Sequence, residues 1–220
     1  MRPDLRLYAL LDPERSGGRE LATLAREVAQ GGATLVQLRD KLGSTRRMIE
    51  SARAIKAALA SFNVPLLIND RVDVALASKA DGVHVGWDDM SIADVRALLG
   101  RDAIVGLSIK TIEQVNAAPV DALDYVCIGG VFPTLSKDNP DAPVGVAGFS
   151  RLASAMRARA PKMPVGAIAG IDAANAGSVM AAGSDGVAII SALTLEPDPA
   201  AAARKLREII DGEITRRGAA

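Results

Sequence analysis

Residues 65–85 read PLLINDRVDVALASKADGVHV, two short apolar runs with a helical pattern between them. The runs PLLIN (65–69) and GVHV (82–85) are rich in Val, Ile and Leu and are bounded by Pro, Asn, Asp or Gly, as buried strands tend to be. The segment Val72–Ser78 predicts a helix between them. This order predicts a parallel pair of strands, because a helical crossover returns the chain to the same end of the sheet.

The same alternation extends over the whole chain. The other predicted strands are RLYALL (6–11), TLVQL (34–38), AIVGL (103–107), DYVCI (124–128), PVGAI (164–168) and GVAII (186–190). The other predicted helices are Arg19–Gln30, Thr45–Ser61, Ile92–Leu99, Ile112–Ala117, Phe149–Ala160, Ala173–Ala181 and Ala200–Arg217. Ser91, Thr111 and Asp172 are predicted helix starts, and Gly31 and Gly100 are predicted helix ends.

Eight strand–helix units in 220 residues predict an α/β fold, a single-domain (β/α)8 TIM barrel over residues 1–220. An open doubly wound sheet is the alternative. It is disfavoured because no Gly-x-Gly-x-x-Gly turn follows the first strand.

The charge balance argues against a nucleic-acid partner. Lys and Arg total 26, as do Asp and Glu, and aromatic residues make up 3% of the chain, so neither a basic field nor a stacking platform is expected. Cys127 is the single cysteine, which excludes a disulfide within the chain. The N-terminus lacks the apolar core of a signal peptide, and no run is long enough to span a membrane. We therefore expect a cytoplasmic protein with no membrane partner; a homo-oligomer remains open.

Polar residues follow the predicted strands, at the end where such barrels carry their active sites. Gln37, Arg39 and Lys41 alternate along the end of the second strand and so share one side. The others are Asn69 and Asp70, Asp88 and Asp89, Ser108, the loop residues Thr134, Ser136 and Lys137, Gly170 at a predicted helix N-terminus, and Ile190 and Ser191. Each has an ordinary alternative as a helix cap, a turn residue or a solvated charge. Their recurrence at one rim favours a site.

The residue types at this rim predict phosphate and magnesium chemistry. Cations and helix N-terminal amides suit phosphate oxygens, and Asp70 with Asp89 suits Mg²⁺, which takes few carboxylates. His84, the only histidine, lies between two valines and is interpreted as a core residue. One Cys and one His make zinc improbable. Together these features indicate departure of pyrophosphate as a leaving group.

The motifs VQLRDK, INDRVDVAL, DGVHVGWDD, GLSIKT, GGVFPTLSK and AGI…AGSDGVAIISAL together resemble the thiamine phosphate synthase family. The resemblance covers residues from about 5 to 195 and implies a transferase of thiamine biosynthesis. Such an enzyme joins a pyrimidine diphosphate to a thiazole phosphate, or to its carboxylated form, and releases pyrophosphate in a dissociative, Mg²⁺-assisted substitution.

The resemblance also implies a role for each matching residue. It assigns the pyrimidine diphosphate to Gln37, Leu38, Arg39, Asp40, Lys41, Asn69, Ser108 and Lys137, and Mg²⁺ to Asp70 and Asp89. It assigns the thiazole phosphate to Thr134, Leu135, Ser136, Gly170, Ile190 and Ser191. Arg39, Lys41 and Lys137 are the expected catalytic residues, since they would stabilise charge on the departing pyrophosphate.

Three positions depart from the family pattern. Trp87 stands where glutamine is common, Ala169 replaces the first glycine of a Gly-Gly pair, and Gly130 stands where proline is frequent. Two alternatives remain: a thiazole tautomerase of the related barrel branch, which needs no metal, and a non-catalytic relative that binds thiamine phosphates. Retention of Lys41, Asp70, Asp89 and Lys137 argues against both. A phosphate-binding isomerase is a more distant alternative, and it would leave the paired aspartates unexplained.

Overall fold

The computed structural model describes residues 3–134, 136 and 142–219 of the chain. Its centre is a closed barrel of parallel strands in the order of the sequence, in which the last strand pairs with the first. The strands are β1 (Leu7–Leu11), β2 (Leu35–Leu38), β3 (Leu66–Asn69), β4 (Gly82–Val85), β5 (Ile104–Ile109), β6 (Tyr125–Ile128), β7 (Val165–Ile168) and β8 (Gly186–Ile189). The predicted (β/α)8 barrel is confirmed.

Helices return the chain to the start of each next strand. They are α1 (Leu21–Gln30), α2 (Thr45–Leu59), α3 (Val72–Ser78), α4 (Ile92–Leu99), α5 (Ile112–Ala117), α6 (Gly145–Arg159), α7 (Ala176–Ala181), α8 (Ser191–Thr194) and α9 (Pro199–Gly218). Short 3-10 helices occur at Pro13–Arg15, Ala60–Phe62 and Val120–Ala122. None of the helices in the described part of the chain is long and apolar enough to cross a membrane.

Most predicted element boundaries agree with the structure to within one or two residues. Ser91 and Thr111 cap α4 and α5 by accepting hydrogen bonds from the N–H groups of Asp94 and Gln114. Gly31 and Gly100 stand at the C-caps of α1 and α4.

Two predicted helix starts are wrong. The helix predicted from Ala173 begins at Ala176, because the Asp172 carboxylate accepts from the N–H groups of Ala174 and Asn175 and closes a turn instead. The helix predicted from Phe149 begins at Gly145. The short helix α8 was not predicted, and it shares the C-terminal part of the chain with α9.

The core has two layers. Between strands and helices lies a large apolar shell that includes Leu24, Ile55 and Phe149. A smaller layer inside the barrel contains Leu10, Leu35, Leu67, Tyr8, Tyr125 and Cys127, with Leu5 and Ile104. Because both strand faces are buried, the strands read as continuous apolar runs rather than as alternating ones.

An aspartate bridge recurs at the amino ends of β4, β6 and β8. The carboxylates of Asp81, Asp124 and Asp185 each accept a hydrogen bond of 2.8 Å from a backbone N–H of the preceding strand, β3, β5 or β7. Each also pairs with a cation from a helix, respectively Lys56, Arg96 and Arg157. This end of the barrel therefore carries structural ion pairs.

Strand glycines allow neighbouring backbones to approach closely. A Cβ on Gly82 would lie 1.9 Å from the backbone oxygen of Ile104, and one on Gly186 would lie 1.8 Å from that of Leu5. Backbone atoms cannot move aside as a flexible side chain can, so these two positions require glycine for steric reasons.

We expect Gly82→Ala to lower the free energy of unfolding by about 3 kcal/mol, because the methyl group overlaps the backbone of β5. Urea denaturation measures the change. The matched control is Gly212→Ala in α9, where the new Cβ meets only the far end of Arg216 at 3.8 Å. That variant should gain up to about 1 kcal/mol from helix propensity. Equal stability of Gly82→Ala and wild type would contradict the close approach.

Candidate active site

A cavity of about 510 Å³ lies at the carboxyl ends of the strands. All eight strands or the residues directly after them contribute to its wall. Of the residues singled out from the sequence, the wall includes Gln37, Arg39, Asn69, Ser108, Thr134, Ser136, Gly170, Ile190 and Ser191. The barrel thus brings together residues that are up to about 150 positions apart in the chain, as expected for this fold.

Other predicted site residues do not line the cavity. The Leu38 side chain is buried in the shell between strands and helices, so only its backbone can serve a ligand. The Asp40 carboxylate accepts from the N–H groups of Leu42 and Gly43, which makes it a turn residue in this structure. Asp88 is exposed in the loop after β4. Leu135 and Lys137 lie outside the described residues, and their assigned roles stay predictions.

Two carboxylates and one ammonium group lie together after β2, β3 and β4. They belong to Asp70, Asp89 and Lys41. The Lys41 ammonium forms a salt bridge with Asp70. Burial raises the pKa of Asp89, and the neighbouring Asp70 carboxylate raises it further. Two neighbouring carboxylates, one of them partly withdrawn from water, suit a hard cation. In the described part of the chain no cluster of three or more His, Cys, Asp or Glu side chains is placed to hold a metal, so these two carboxylates would need oxygens from substrate or water.

The backbone at Asp70 sets this carboxylate apart from a helix cap. Its φ is +60°, and its N–H donates to the backbone oxygen of His84 over 2.9 Å. Arg71 occupies the N-cap of α3, and no side chain caps that position. Asp70 therefore does not serve as the helix cap that was its ordinary alternative. A left-handed aspartate beside a cavity is typical of a functional position.

Arg39 is held in place by Asp12. The two side chains form a salt bridge in which Asp12 is 2% and Arg39 13% exposed. The second Asp12 oxygen accepts from the N–H of Glu14 over 2.9 Å. Because Asp12 is buried, Arg39 is largely so, and the carboxylate is also bonded to backbone, the guanidinium has a fixed direction at the cavity wall.

Hydroxyl groups from two loops meet on the opposite side. Ser136 donates its N–H to Thr134 Oγ1 over 3.1 Å, and its Oγ lies 2.6 Å from Oγ of Ser191. Ser191 is the first residue of α8, directly after Ile190 at its N-cap. The loop after β6 and the turn after β8 are thereby joined across the cavity.

The segment between β7 and α7 is strained. Ala169 has φ +91° and Gly170 has φ +64°. A Cβ on Gly170 would lie 2.4 Å from the Pro133 backbone oxygen, so glycine is required there. The predicted helix N-terminus at Gly170 is wrong, because α7 begins only at Ala176. Gly170 instead brings its backbone close to the loop after β6.

Trp87 and Gly130, the other two departures from the family pattern, differ in their position relative to the cavity. Trp87, in the loop after β4, is 41% exposed and is not part of the cavity wall. Gly130 lines the cavity with φ +72°, which the ring of a proline cannot adopt. The loop after β6 therefore follows a path here that a proline at this position would exclude.

Sequence reasoning missed several residues of the wall, among them Tyr8, Arg15, Lys110 and Cys127, and it missed Asp12, which holds Arg39. Asp12 and Arg15 follow β1 directly, so inspection of the first strand's end would have found Asp12 beside Arg39 and Arg15 at the wall. Lys110 follows β5 and also lines the cavity. Burial raises the pKa of the Cys127 thiol to about 12, so it is a protonated, unreactive group.

We expect Ala169→Gly to raise the free energy of unfolding by about 1 kcal/mol, because glycine adopts φ +91° without the strain that a Cβ causes. The measurement is urea denaturation. Ala57→Gly, at an exposed position within α2, is the matched control and should lose about 1 kcal/mol. A loss of stability at both positions would contradict the strain at Ala169.

Asp89→Asn should stabilise the metal-free protein at neutral pH by less than about 1 kcal/mol, since the group is largely exposed. The folded pKa of Asp89 is raised above 3.8, so the wild type loses stability as pH rises through this window. The difference in unfolding free energy between variant and wild type should therefore grow from near zero below pH 3.8 to its full value at neutral pH. Denaturation curves over this range test it, and a difference that does not change with pH would refute it.

Comparisons with known proteins agree on one family. The sequence model of the family described as thiamine monophosphate synthase matches residues 7–193. A thiamine-phosphate synthase of Agrobacterium fabrum is 51% identical over 214 residues, 97% of each chain. One from Moorella thermoacetica is 39% identical over 94% of this chain and 97% of its own. The solved structure of a thiamine phosphate pyrophosphorylase from Pyrococcus furiosus has a TM-score of 0.84 and 34% identity, and covers 97% of this chain and 98% of its own. The chain belongs to the thiamine monophosphate synthase family.

Proposed function

We propose that this chain is a thiamine-phosphate synthase that joins a pyrimidine diphosphate to a thiazole phosphate and releases pyrophosphate, with Mg²⁺ as cofactor. The observation that carries the mechanism is the meeting of Asp70 and Asp89 beside Lys41, next to a cavity with Arg39 in its wall. A carboxylate pair with a cation close by suits a magnesium–diphosphate group.

The donor half of the site would hold the pyrimidine diphosphate. Arg39 points a fixed guanidinium at the cavity, and Lys41 supplies a second cation next to Asp70. Lys137 is assigned to the same group by its position in the family motif. When bound by Asp70 and Asp89, Mg²⁺ would neutralise part of the charge that grows on the departing pyrophosphate.

The acceptor half would hold the thiazole phosphate. Thr134, Ser136 and Ser191 present hydroxyls to it, and Gly170 brings its backbone to the same part of the wall. With the acceptor held next to the donor, the C–O bond to the diphosphate breaks first, and the ring nitrogen of the thiazole attacks the resulting pyrimidinyl-methyl cation. Such positioning can supply several kcal/mol of the barrier, on the order of 7 or more in well-oriented systems.

The wall offers little to support the isomerase alternative. A tautomerase needs an acid/base residue, whereas His84 is buried and bonded at both ring nitrogens, to Tyr125 and Ser108. Cys127 is protonated. The non-catalytic alternative would leave the strained Asp70 and the ordered Arg39 without a role. We further propose that the enzyme works in the cytoplasm on these small molecules and has no nucleic-acid partner.

The test is an assay with purified protein, the pyrimidine diphosphate and the thiazole phosphate, in which thiamine phosphate and pyrophosphate are both quantified. Both products should form only with Mg²⁺, and Asp70→Asn and Asp89→Asn should each lower kcat/KM about 100-fold or more. Magnesium with pyrophosphate should raise the Tm of the wild type and not that of either variant.

Asp102→Asn, an exposed position before β5 at the opposite end of the barrel, is the matched control and should leave both readouts unchanged. Binding of both substrates without formation of product would favour the non-catalytic alternative. Product formation at an undiminished rate without Mg²⁺ would remove the metal from the proposal and leave the synthase in place.

A further inference from the structure

A chain of hydrogen bonds crosses the interior of the barrel at the wall of the cavity. The Gln37 amide nitrogen donates to the Tyr8 hydroxyl, which lies 3.0 Å from the Tyr125 hydroxyl. Tyr125 Oη lies 2.8 Å from His84 Nδ1, and His84 Nε2 lies 2.9 Å from Ser108 Oγ. The chain begins and ends at residues of the cavity wall, Gln37 on β2 and Ser108 on β5.

Four members of this chain are deeply buried, and Ser108 is half-buried. Gln37 is 1%, Tyr8 2% and His84 6% exposed. Burial raises the pKa of both tyrosines, so each keeps its O–H and has one hydrogen to donate. Space is kept for Tyr125 as well, because a Cβ on Gly106 would lie 2.1 Å from its ring carbon Cζ. The fold therefore provides a close-fitting space for the hydrogen-bonded side chains.

Hydrogen counting gives the chain a direction. Gln37 donates to Tyr8, and if each hydroxyl then donates to the next group, the Tyr8 hydrogen points to Tyr125 and the Tyr125 hydrogen points to His84. His84 then accepts at Nδ1, carries its hydrogen at Nε2 and donates it to Ser108 Oγ. The hydroxyl hydrogen of Ser108 remains for the cavity.

At the other end of the hydrogen-bonded chain, Gln37 has an acceptor that is free within the described part of the structure. Gln37 Oε1 is buried and accepts no hydrogen bond from any described residue. A buried carbonyl oxygen without a donor is unfavourable, and a ligand N–H can satisfy it. One wall position thus offers an acceptor and another a donor.

We propose that the chain Gln37–Tyr8–Tyr125–His84–Ser108 is a positioning device that fixes Gln37 as acceptor and Ser108 as donor towards the ligand. This rests on the proposed function, in which both residues face the pyrimidine diphosphate. An aminopyrimidine carries both required groups, an exocyclic N–H and ring nitrogens with lone pairs. Tyr8 and His84 also lie at the cavity wall, and in this proposal they and Tyr125 act through Gln37 and Ser108.

The tautomer of His84 reports the direction of the whole chain. In the reverse direction Tyr8 would donate to a rotated Gln37 amide, and Tyr125 would donate to Tyr8. His84 would then carry its hydrogen at Nδ1, and Ser108 would donate to Nε2. An imidazolium would donate at both nitrogens and leave the Tyr8 hydrogen without an acceptor while Gln37 donates to it. The three arrangements therefore differ in which of the two His84 ring nitrogens carries a hydrogen.

The experiment is NMR of protein labelled with ¹⁵N-histidine. Only His84 gives a signal, because the protein contains one histidine. At neutral pH without substrate we expect a neutral ring, with a protonated Nε2 and an unprotonated Nδ1. A hydrogen on Nδ1, or an imidazolium, would overturn the proposal. Because no substrate is present, this result does not depend on whether the protein proves to be a synthase.

A variant separates positioning from simple structural support. In Tyr8→Phe the Tyr125 hydroxyl still donates to His84, so the Nε2–H tautomer should persist, while the Gln37 amide loses its fixed orientation. KM for the pyrimidine diphosphate should rise about tenfold, with KM for the thiazole phosphate unchanged. Ser78→Ala, which removes a buried hydroxyl bonded to Val74 in α3, should change neither. A move of the hydrogen to Nδ1, or an equal rise in both KM values, would overturn the proposal.

Discussion

The pairing of β8 with β1 is the constraint on which the rest of the structure depends. It joins Leu7 to Val187 and Tyr8 to Ala188, and it turns an open sheet into a barrel without edges. Gly186 permits this approach, since its position leaves no room for a Cβ beside the Leu5 backbone. Closure buries both faces of every strand, so any polar group inside must find its partner there.

Closure also divides the molecule into two ends with different duties. At the amino ends of the strands, Asp81, Asp124 and Asp185 each connect a strand backbone to a helix cation, and they complete the bonding of those ends. At the carboxyl ends the polar groups converge on a cavity, and some of them are left with capacity for a ligand. The parallel arrangement thus gives one end whose polar groups are paired within the protein and another end whose polar groups can bind a ligand.

Much of the fold follows from local patterns in the sequence. Apolar runs with boundary residues predicted every strand, and Ser91 and Thr111 marked helix starts because a side chain there satisfies a free N–H. The start of α7 was missed because Asp172 has two ways to use its carboxylate, and a turn won over a cap. A choice between such local alternatives is made by tertiary packing, which single residues do not encode.

The site was predictable where a residue type had few other uses. Gln37, a polar residue within an apolar run, and Arg39, directly after β2, both line the cavity, whereas Lys41 and Asp70 are not among the wall residues. The strain at Ala169 could not be foreseen from its type, because φ is set by the surrounding loops. Tyr8 and Tyr125 looked like ordinary core residues, since each has an apolar ring and only the three-dimensional register brings the hydroxyls together.

The hydrogen bond between Ser136 and Ser191 has a consequence for how tightly an anion can be held. Only the hydroxyl that donates this bond must give it up before it can donate to a phosphate oxygen, because the accepting hydroxyl keeps its own hydrogen. For that donor the net gain is the small difference between two similar hydrogen bonds rather than the full strength of either. In the proposed function, this competition would weaken the retention of both the acceptor and the phosphorylated product. An enzyme that must release its product on every turnover benefits from a phosphate site that does not bind too tightly.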